Sequence, residues 1–295
     1  MIGVASFCVI CCVMKSKISR NDKRSVTNLI NKLVSLAPDK SHFCRKSMTP
    51  ARLAKYKATL ACRQLDLTII TDQVNKAQNI AALIRTCDAV GVHNAHVVTP
   101  VEGFREHKRT ARGSQKWVNI VTHDTIDSAL STAKKQGMQL VSAHFSDLAV
   151  DYRELDYTLP TALILGAEMH GVSPAAVAAS DHQVVIPMLG MVHSFNVSVA
   201  AAIILLEAQR QRELQGSYNR PQLMGVDYEQ TLFRWSHPKV ANFCDCHGLA
   251  YPAMEVDGDI VNLNQWYASA QQVTGLVQGI VQDTTPDTSN SLGAI

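Results

Sequence analysis

The sequence predicts an α/β protein with a mostly parallel sheet. Short apolar strands alternate with helical patterns along most of the chain, which is the order that produces parallel sheets covered by helices. Residues 161–165 form an unbroken apolar run, as expected of a central strand buried on both faces. With 46% hydrophobic and 18% charged residues, the 295-residue chain has the composition of a globular domain with extensions.

The elements follow from local signals. A basic helix is expected from about residue 50 to 65, since Thr49-Pro50 is a cap followed by proline at the first helical position. Residues 197–206 are apolar on almost every side, so we expect that helix to be buried. Further helices are predicted at 79–90, 126–136 and 227–247, and strands at 67–71, 95–99, 117–121, 138–143, 161–165 and 184–186.

The charge is distributed unevenly. Residues 1–47 carry nine Lys/Arg and two Asp/Glu, a local charge of +7, whereas the rest carries 19 and 23, a charge of −4. RNA binding must therefore depend on local basic patches. In residues 1–47 an apolar run precedes the basic residues, the reverse of a secretory signal. We interpret this segment as a disordered leader, or as a region upstream of a start at Met48; an inverted membrane anchor is the alternative.

Several other classes are disfavoured. No apolar run reaches the roughly 20 residues that span a bilayer, so no membrane association is expected. The cysteines form no disulfide framework, which favours a cytoplasmic location. Cys244-Asp-Cys246-His247 is too closely spaced for a structural zinc pair and no second pair exists, so no metal is expected. No G-x-G-x-x-G follows the first strand, which disfavours a Rossmann-type cofactor site.

The most informative stretch is residues 186–207, IPMLGMVHSFNVSVAAAIILLE. A strand ends at Pro187, a polar loop follows, and Ser194, Asn196 and Ser198 offer caps for a buried helix. Backbone N–H groups at a helix start are suited to hold a small ligand. An ordinary strand–helix connection is the alternative that the residues alone leave open.

Two further segments also combine polar residues with a strand end or a helix start. Residues 78–86 read QNIAALIRT, and residues 163–173 read LILGAEMHGVS, with glycines on both sides of an acid after a strand. Together with residues 186–212, these segments resemble, in order and spacing, the three motifs of the SpoU branch of the SPOUT RNA 2′-O-methyltransferases. The resemblance covers residues 48 to 267 and is strongest to members that methylate guanosine 18 of tRNA.

The resemblance implies a C-terminal trefoil knot in the α/β sheet, an exception to un-knotted topology. It implies that S-adenosylmethionine is held in that knot by the second and third motif loops, and that the active sites form in a homodimer. The implied cofactor-binding residues are Leu165, Gly166, Glu168, Gly171, Ile186, Met188, Ser194, Phe195 and Asn196.

The resemblance also implies the catalytic group, which is Arg85 with Asn79, Glu168 and Asn196 as polar supports. A guanidinium stays protonated and is a poor base. We therefore expect Arg85 to orient the ribose hydroxyl, to stabilise developing charge and to grip an RNA phosphate. A surface arginine paired with Asp88 is the alternative. One departure is that Gln78 stands where relatives often have histidine.

Basic residues cluster in three places that we expect to contact tRNA phosphates. The strongest patch follows the strand at 95–99, where ligands collect in open α/β sheets. A solvated charged face is the alternative for each cluster. The candidates are Arg52, Lys55 and Arg63 in the first helix, Arg105, Lys108, Arg109 and Arg112 after the strand, and Arg210 and Arg212 after the third motif.

These observations predict S-adenosylmethionine-dependent 2′-O-methylation of a tRNA ribose, with guanosine 18 of the D-loop as the expected target. Methylation of 23S rRNA by the same fold and a non-catalytic RNA-binding protein are the two alternatives. The expected organisation is a leader at 1–47, a methyltransferase domain with a basic helix at 48–215, a C-terminal extension at 216–270 and a disordered tail at 271–295.

Overall fold

The computed structural model describes residues 48–98 and 116–272 of the chain. Its strands are β1 (Leu67–Asp72), β2 (Asn94–Val98), β3 (Asn119–His123), β4 (Gln139–Ala143), β5 (Val150–Asp151), β6 (Thr161–Gly166) and β7 (His182–Val185). Its labelled helices are α1 (Pro50–Ala61), α2 (Ala77–Ala89), α3 (Ile126–Lys135), α4 (Pro174–Ala179), α5 (Val197–Gln215), α6 (Gly225–Ser236) and α7 (Pro238–His247), and residues 263–272, the last that the structure describes, are helical as well.

The seven strands form one sheet in the order β3-β2-β1-β6-β4-β7-β5. Every pairing is parallel, including the six-residue register that joins β1 to β6. The prediction of an α/β fold with a mostly parallel sheet is confirmed. The apolar run at 161–165 is indeed central, because β6 has neighbours on both sides and is buried along its length.

Two apolar layers cover the sheet. On one face α2 and α5 pack on β1 and β6, and Leu83, Ile84 and Leu205 are almost fully buried there. On the other face α3 and α4 pack on Ile70 and Ile164. The side chains of the central strands β1 and β6 therefore meet helices on both faces, which explains why these two strands are buried and largely apolar.

Helix α6 packs against the first helix and not against the centre of the sheet, and α7 packs on α6. Leu53, Tyr56 and Leu60 of α1 share a buried cluster with Leu232 and Trp235 of α6. The Trp235 ring also contacts Tyr56, with ring centroids 5.8 Å apart. The apolar face of α1 is thus covered by a segment that lies far away in the sequence.

Three predicted helices differ from the observed ones. The first helix ends at Ala61, and the predicted single helix at 227–247 is two helices, since Pro238 cannot continue the hydrogen bonds of α6. Helix α5 extends to Gln215 and is buried on one face only, with Val199 and Leu206 exposed. The expectation that residues 197–206 are buried on every side is therefore wrong for this chain taken alone. Within the described residues, no helix is long and apolar enough to cross a bilayer.

Candidate active site

Three loops meet at the carboxyl edge of the sheet. The chain leaves β1 toward β2 and β3 on one side, while β6 and β4 lie on the other, so the strand order reverses between β1 and β6. Ligands of open α/β sheets bind outside the carboxyl ends of strands at such a switch point. The loops that follow β1, β6 and β7 here are those of the three sequence motifs.

A polar cluster joins the three loops. Asn79 in the first turns of α2 donates through Nδ2 to Glu168 Oε1 in the loop after β6. Asn196, which caps α5, donates through Nδ2 to Asn79 Oδ1 at 3.3 Å and to Glu168 Oε1 at 3.4 Å. The Asn196 Oδ1 atom is occupied by its cap, since it accepts from the N–H of Ser198 at 2.9 Å. The structure therefore brings together three residues that are up to 117 positions apart in sequence.

Lys76 completes this cluster. Its ammonium group forms an ion pair with Glu168 Oε2, while two-thirds of its side chain is exposed to solvent. Lys76 is also the N-cap residue of α2, where a positive charge is unfavourable because of the helix dipole. Lys76 is not among the residues predicted from the sequence, although a cation at a helix start is the kind of local conflict that indicates a functional role.

Glu168 is held in its ionised form. The hydrogen bond from Lys76 is the main reason that its pKa lies below the ordinary value, and the Asn79 hydrogen bond acts in the same direction. An ionised carboxylate only accepts hydrogen bonds, so the amide groups of both asparagines must turn their Nδ2 atoms toward it. A carboxylate with a lowered pKa is also a poor proton acceptor near neutral pH.

The loop after β6 is tightly closed. Gly171 N donates to Ala167 O at 2.7 Å, and Gly171 itself has a positive φ of 65°. A Cβ atom on Gly166 would lie only 2.0 Å from the backbone carbon of Gly171 and 2.2 Å from Val172 N. Glycine is therefore required at position 166, because the chain folds back directly over it. Glu168 stands at the turn of this loop.

The loop after β7 is open by comparison. Across the part of the chain that the structure describes, the backbone of residues 187–195 forms no hydrogen bond. In the same loop Leu189, Met191 and Val192 are exposed. The exposed backbone groups of this loop are free to bind a ligand in place of water, and large apolar side chains grouped at a surface are typical of a binding site.

The predicted cofactor residues lie on these two loops. Leu165 is buried at the end of β6, and Ile186 packs on the core directly after β7. One strand, β4, separates them, which corresponds to a gap of about 10 Å along the sheet edge. Met188 is half-buried, and Ser194 and Phe195 are exposed in the loop before Asn196.

Arg85 lies apart from the polar cluster within one copy of the chain. It is exposed on α2 and, among the described residues, it has no ion pair or side-chain hydrogen bond. Its angular separation from Asn79 around the helix is about 120°, from 100° per residue. The alternative of an Arg85–Asp88 pair is wrong, because Asp88 binds Arg63 instead.

Three of the predicted RNA contacts are accessible. Arg52 and Lys55 are exposed on α1, with Arg52 Nε donating to the Tyr56 hydroxyl at 2.6 Å. Arg210 is exposed on α5 and pairs with Glu207. The prediction that names Arg105, Lys108, Arg109 and Arg112 lies outside the described residues.

The prediction that Arg63 and Arg212 contact RNA is wrong, because both side chains are completely buried. The Arg63 guanidinium binds Asp88 and the carbonyl of Val92, and lies 5.2 Å from the Trp235 ring. A buried guanidinium with these partners has no surface left for a phosphate.

Arg212 is the centre of a larger interior network. It donates to Asp66 Oδ1 at 2.5 Å, to Gln64 Oε1 at 3.0 Å and to three backbone carbonyls, those of Asp66, Tyr157 and Leu159. These contacts tie α5 to the amino edge of the sheet. Basic residues near the end of a helix can be structural in this way, and the sequence alone gives no sign of the buried acceptors.

Comparison with known proteins agrees with this site. Residues 66–206 match the SpoU rRNA Methylase family, and residues 210–263 match the C-terminal SpoU rRNA methylase family. The first match begins just before β1 and includes all three motif loops. The chain belongs to the SpoU methylase family.

Individual relatives extend the comparison. The chain is 46% identical over 226 residues to the tRNA (guanosine(18)-2′-O)-methyltransferase of Escherichia coli, covering 76% of this chain and 99% of that protein. It is 45% identical to the enzyme of the same name from Thermus thermophilus, covering 64% and 98%. The crystal structure of the Aquifex aeolicus TrmH/SpoU tRNA modifying enzyme superposes with a TM-score of 0.59 at 42% identity, covering 64% and 97%.

Proposed function

We propose that this protein transfers a methyl group from S-adenosylmethionine to the ribose 2′-oxygen of guanosine 18 in tRNA. The observation that carries the proposal is the convergence of Asn79, Glu168 and Asn196 from three separate loops at the switch point of the sheet. The names of the relatives described above support the reaction and the substrate. We infer a cytoplasmic location because tRNA is modified there.

The residues present fit the cofactor. Loop 187–195 offers unpaired backbone donors and acceptors directly after the partly buried side chain of Ile186, which matches an adenosine group with an apolar ring face and polar edges. The residues that would hold it are Leu165, Gly166, Glu168, Gly171, Ile186, Met188, Ser194, Phe195 and Asn196. When bound, S-adenosylmethionine supplies an electrophilic methyl group on a sulfonium.

The residues of the chain then act mainly by positioning. Glu168, ionised and held by Lys76 and Asn79, keeps the second loop against α2. Asn196 joins the third loop to this pair. Since Glu168 has a lowered pKa, we assign it an orienting role and not that of a base.

Arg85 is assigned to the substrate. Its planar fork can bind an RNA phosphate and direct N–H groups at the oxygen where negative charge develops. Because Arg85 is exposed and is turned away from Asn79 around α2, we propose that it serves the site together with a second copy of the chain.

We propose a homodimer as the active form. Exposed apolar residues lie on the third loop and on the helix that follows it, α5, namely Leu189, Met191, Val192, Val199 and Leu206. An accumulation of exposed apolar side chains supports an interface. Light scattering should give the mass of two chains, and charged substitutions at Val199 and Leu206 should give the mass of one.

We also infer the trefoil knot of the family. Helix α5 leaves β7 but packs against α2, which follows β1 on the far side of β4 and β6. A third loop that crosses the loop after β6 would account for this packing, and the Asn196–Glu168 contact between the two loops supports such a crossing. For the domain organisation we propose residues 48–215 as the catalytic domain and 216–270 as its extension.

The decisive experiment uses two tRNA transcripts that differ by one atom. Single-turnover transfer from radiolabelled S-adenosylmethionine should occur with guanosine at position 18 and be absent with 2′-deoxyguanosine there. Labelling that persists with the deoxy substrate would refute the proposed acceptor. Transfer to 23S rRNA fragments and not to tRNA would favour the rRNA alternative, and tRNA binding without any transfer would favour the non-catalytic one.

A variant series tests the role of Arg85. Arg85→Ala should lower the transfer rate about 100- to 1,000-fold with cofactor binding retained, as for loss of one well-placed donor. Arg85→Lys should recover little, because lysine lacks the planar fork. Arg153→Ala is the matched control, since Arg153 is an exposed arginine that is held by Asp151. Transfer by Arg85→Ala at the rate of Arg153→Ala would contradict the assignment.

A further inference from the structure

Asp72 is the last residue of β1, and both ends of the second loop are attached to it. Its backbone pairs with Gly166 in the register of β1 and β6, where the loop begins. Its carboxylate accepts from the N–H of Ser173 at 2.7 Å, where the loop ends and α4 starts. The segment that carries Glu168 is therefore held at its entry and its exit by one residue.

Between those two ends the loop is held from outside mainly through Glu168, which contacts Lys76, Asn79 and Asn196. The interior of the loop is closed by the Gly171–Ala167 backbone hydrogen bond, and residues 168–171 are exposed. Such a loop keeps its internal shape but can tilt as a unit, unless its ends are fixed. The Ser173 bond is charge-assisted and stronger than a neutral one, so it is suited to prevent that tilt.

Asp72 is connected to the first motif as well. The next residue, Gln73, has a φ of 56°, which is uncommon for a residue other than glycine. This sharp change of direction starts the segment that leads to Lys76 and Asn79, both of which bind Glu168. The position of Asp72 thus determines where two segments begin, the one that carries Lys76 and Asn79 and the one that carries Glu168.

The carboxylate is also poorly matched to a purely structural role. Asp72 is almost completely buried, and within the described residues its Oδ1 atom has no hydrogen-bond partner. A buried acceptor without a partner lowers stability. An unfavourable group of this kind in a folded protein calls for a functional explanation.

We propose that Asp72 is a positioning residue of the methyl-transfer site, which acts by holding the second loop so that Glu168 meets Asn79 and Asn196. This inference rests on the proposed function for its catalytic consequence only. The orientation of the loop itself can be measured without substrate.

The test compares three substitutions of Asp72 with a control on the same strand. Asp72→Leu keeps the shape but cannot accept a hydrogen bond, Asp72→Ala removes the acceptor with less bulk, and Asp72→Asn keeps a neutral acceptor. Thr71→Val is the control, because the Thr71 hydroxyl is likewise buried, and among the described residues it too has no hydrogen-bond partner.

Amide hydrogen exchange at Gly171 and Ser173, whose N–H groups are hydrogen-bonded, should become about 10- to 100-fold faster in Asp72→Leu and Asp72→Ala, the loss expected for one charge-assisted hydrogen bond. The kcat for tRNA should fall by a similar factor with little change in KM. Asp72→Asn should lie between these variants and the wild type, and Thr71→Val should match the wild type in both measurements.

The inference is overturned if the Asp72 variant that folds, Leu or Ala, exchanges its loop amides like Thr71→Val. It is also overturned if Asp72→Asn is as defective as Asp72→Leu, since then hydrogen-bond acceptance is not what matters. If the wild type fails to methylate tRNA while the loop exchange changes as expected, the proposed function is wrong and the positioning of the loop stands.

Discussion

Replacing Gly166 by alanine is expected to damage the candidate active site more than the same replacement at any other glycine that the structure describes. The added Cβ would meet three backbone atoms of Gly171 and Val172 at 2.0 to 2.2 Å. Ordinary contacts of this kind begin near 3.4 Å. Because the obstacles are backbone atoms and not flexible side chains, the loop after β6 must move by about 1 Å or more.

The size of the effect follows from this displacement. Overpacking of a closely packed site costs about 1–3 kcal/mol, which corresponds to roughly 2–12 °C in Tm for a domain of this size. Activity should suffer more, because a misplacement of about 1 Å can reduce a rate by about 100-fold. Glu168 lies two residues after Gly166 and would move with the loop.

The measurement combines thermal unfolding with single-turnover methyl transfer to tRNA. Gly190→Ala is the control for stability, since a Cβ at Gly190 has open space around it. Gly166→Ala should unfold at lower temperature than Gly190→Ala and transfer methyl groups much more slowly. Equal unfolding temperatures and a transfer rate near that of the wild type would show that the loop is not closed over Gly166.

Three other predictions concern charge. Arg212→Ala should lower the free energy of unfolding by about 3–5 kcal/mol, as for a broken buried ion pair. Arg210→Ala removes an exposed ion pair and should lower it by less than about 1 kcal/mol. Urea titrations that give equal reductions for both variants would contradict the buried network. Burial, with a contribution from His123, lowers the pKa of His96 to about 4, and burial, with a contribution from Arg63, lowers that of His93 to about 4. In the unfolded chain both histidines have the ordinary pKa of 6.5, so the stability that the neutral rings contribute is complete above pH 6.5 and is lost as pH falls toward 4. His96→Gln should flatten this dependence of the unfolding free energy on pH. An unchanged pH profile of stability would refute the prediction. Neutralising Arg105, Lys108, Arg109 and Arg112 together should reduce the slope of the salt dependence of tRNA binding by about 0.7–0.9 for each phosphate that is no longer neutralised, with cofactor affinity unchanged; an unaltered slope would identify a solvated face.

The sequence is sufficient to predict the sheet and the meeting of the motifs. Parallel strands buried on both faces leave continuous apolar runs, so the strands at 67–71 and 161–165 are recognisable without knowing their neighbours. Asn79, Glu168 and Asn196 each follow a strand in the chain, and parallel strands end at a common edge. Their meeting is therefore a consequence of topology.

The errors have a common physical origin. Arg63 and Arg212 look like surface cations because their acceptors, including Asp88 and Asp66, become neighbours only in the folded chain. The apolar composition of α5 predicts a buried outer face, but composition does not reveal whether the covering surface comes from the same chain or from another molecule. The local sequence indicates whether a residue prefers water or the interior, and long-range contacts determine where it lies in the folded chain.

The contact between α1 and α6 determines when the first helix can dock while the chain is being synthesised. The apolar face of α1 is made early on the ribosome, yet Leu232 and Trp235, which cover it, are added only when most of the sheet already exists. Until then Leu53, Tyr56 and Leu60 are exposed on the nascent chain, and they can pair with other apolar surfaces. The basic helix can thus dock in its final position only after the sheet has been translated, so a ribosome stalled before residue 225 would carry the candidate active-site loops with an undocked first helix.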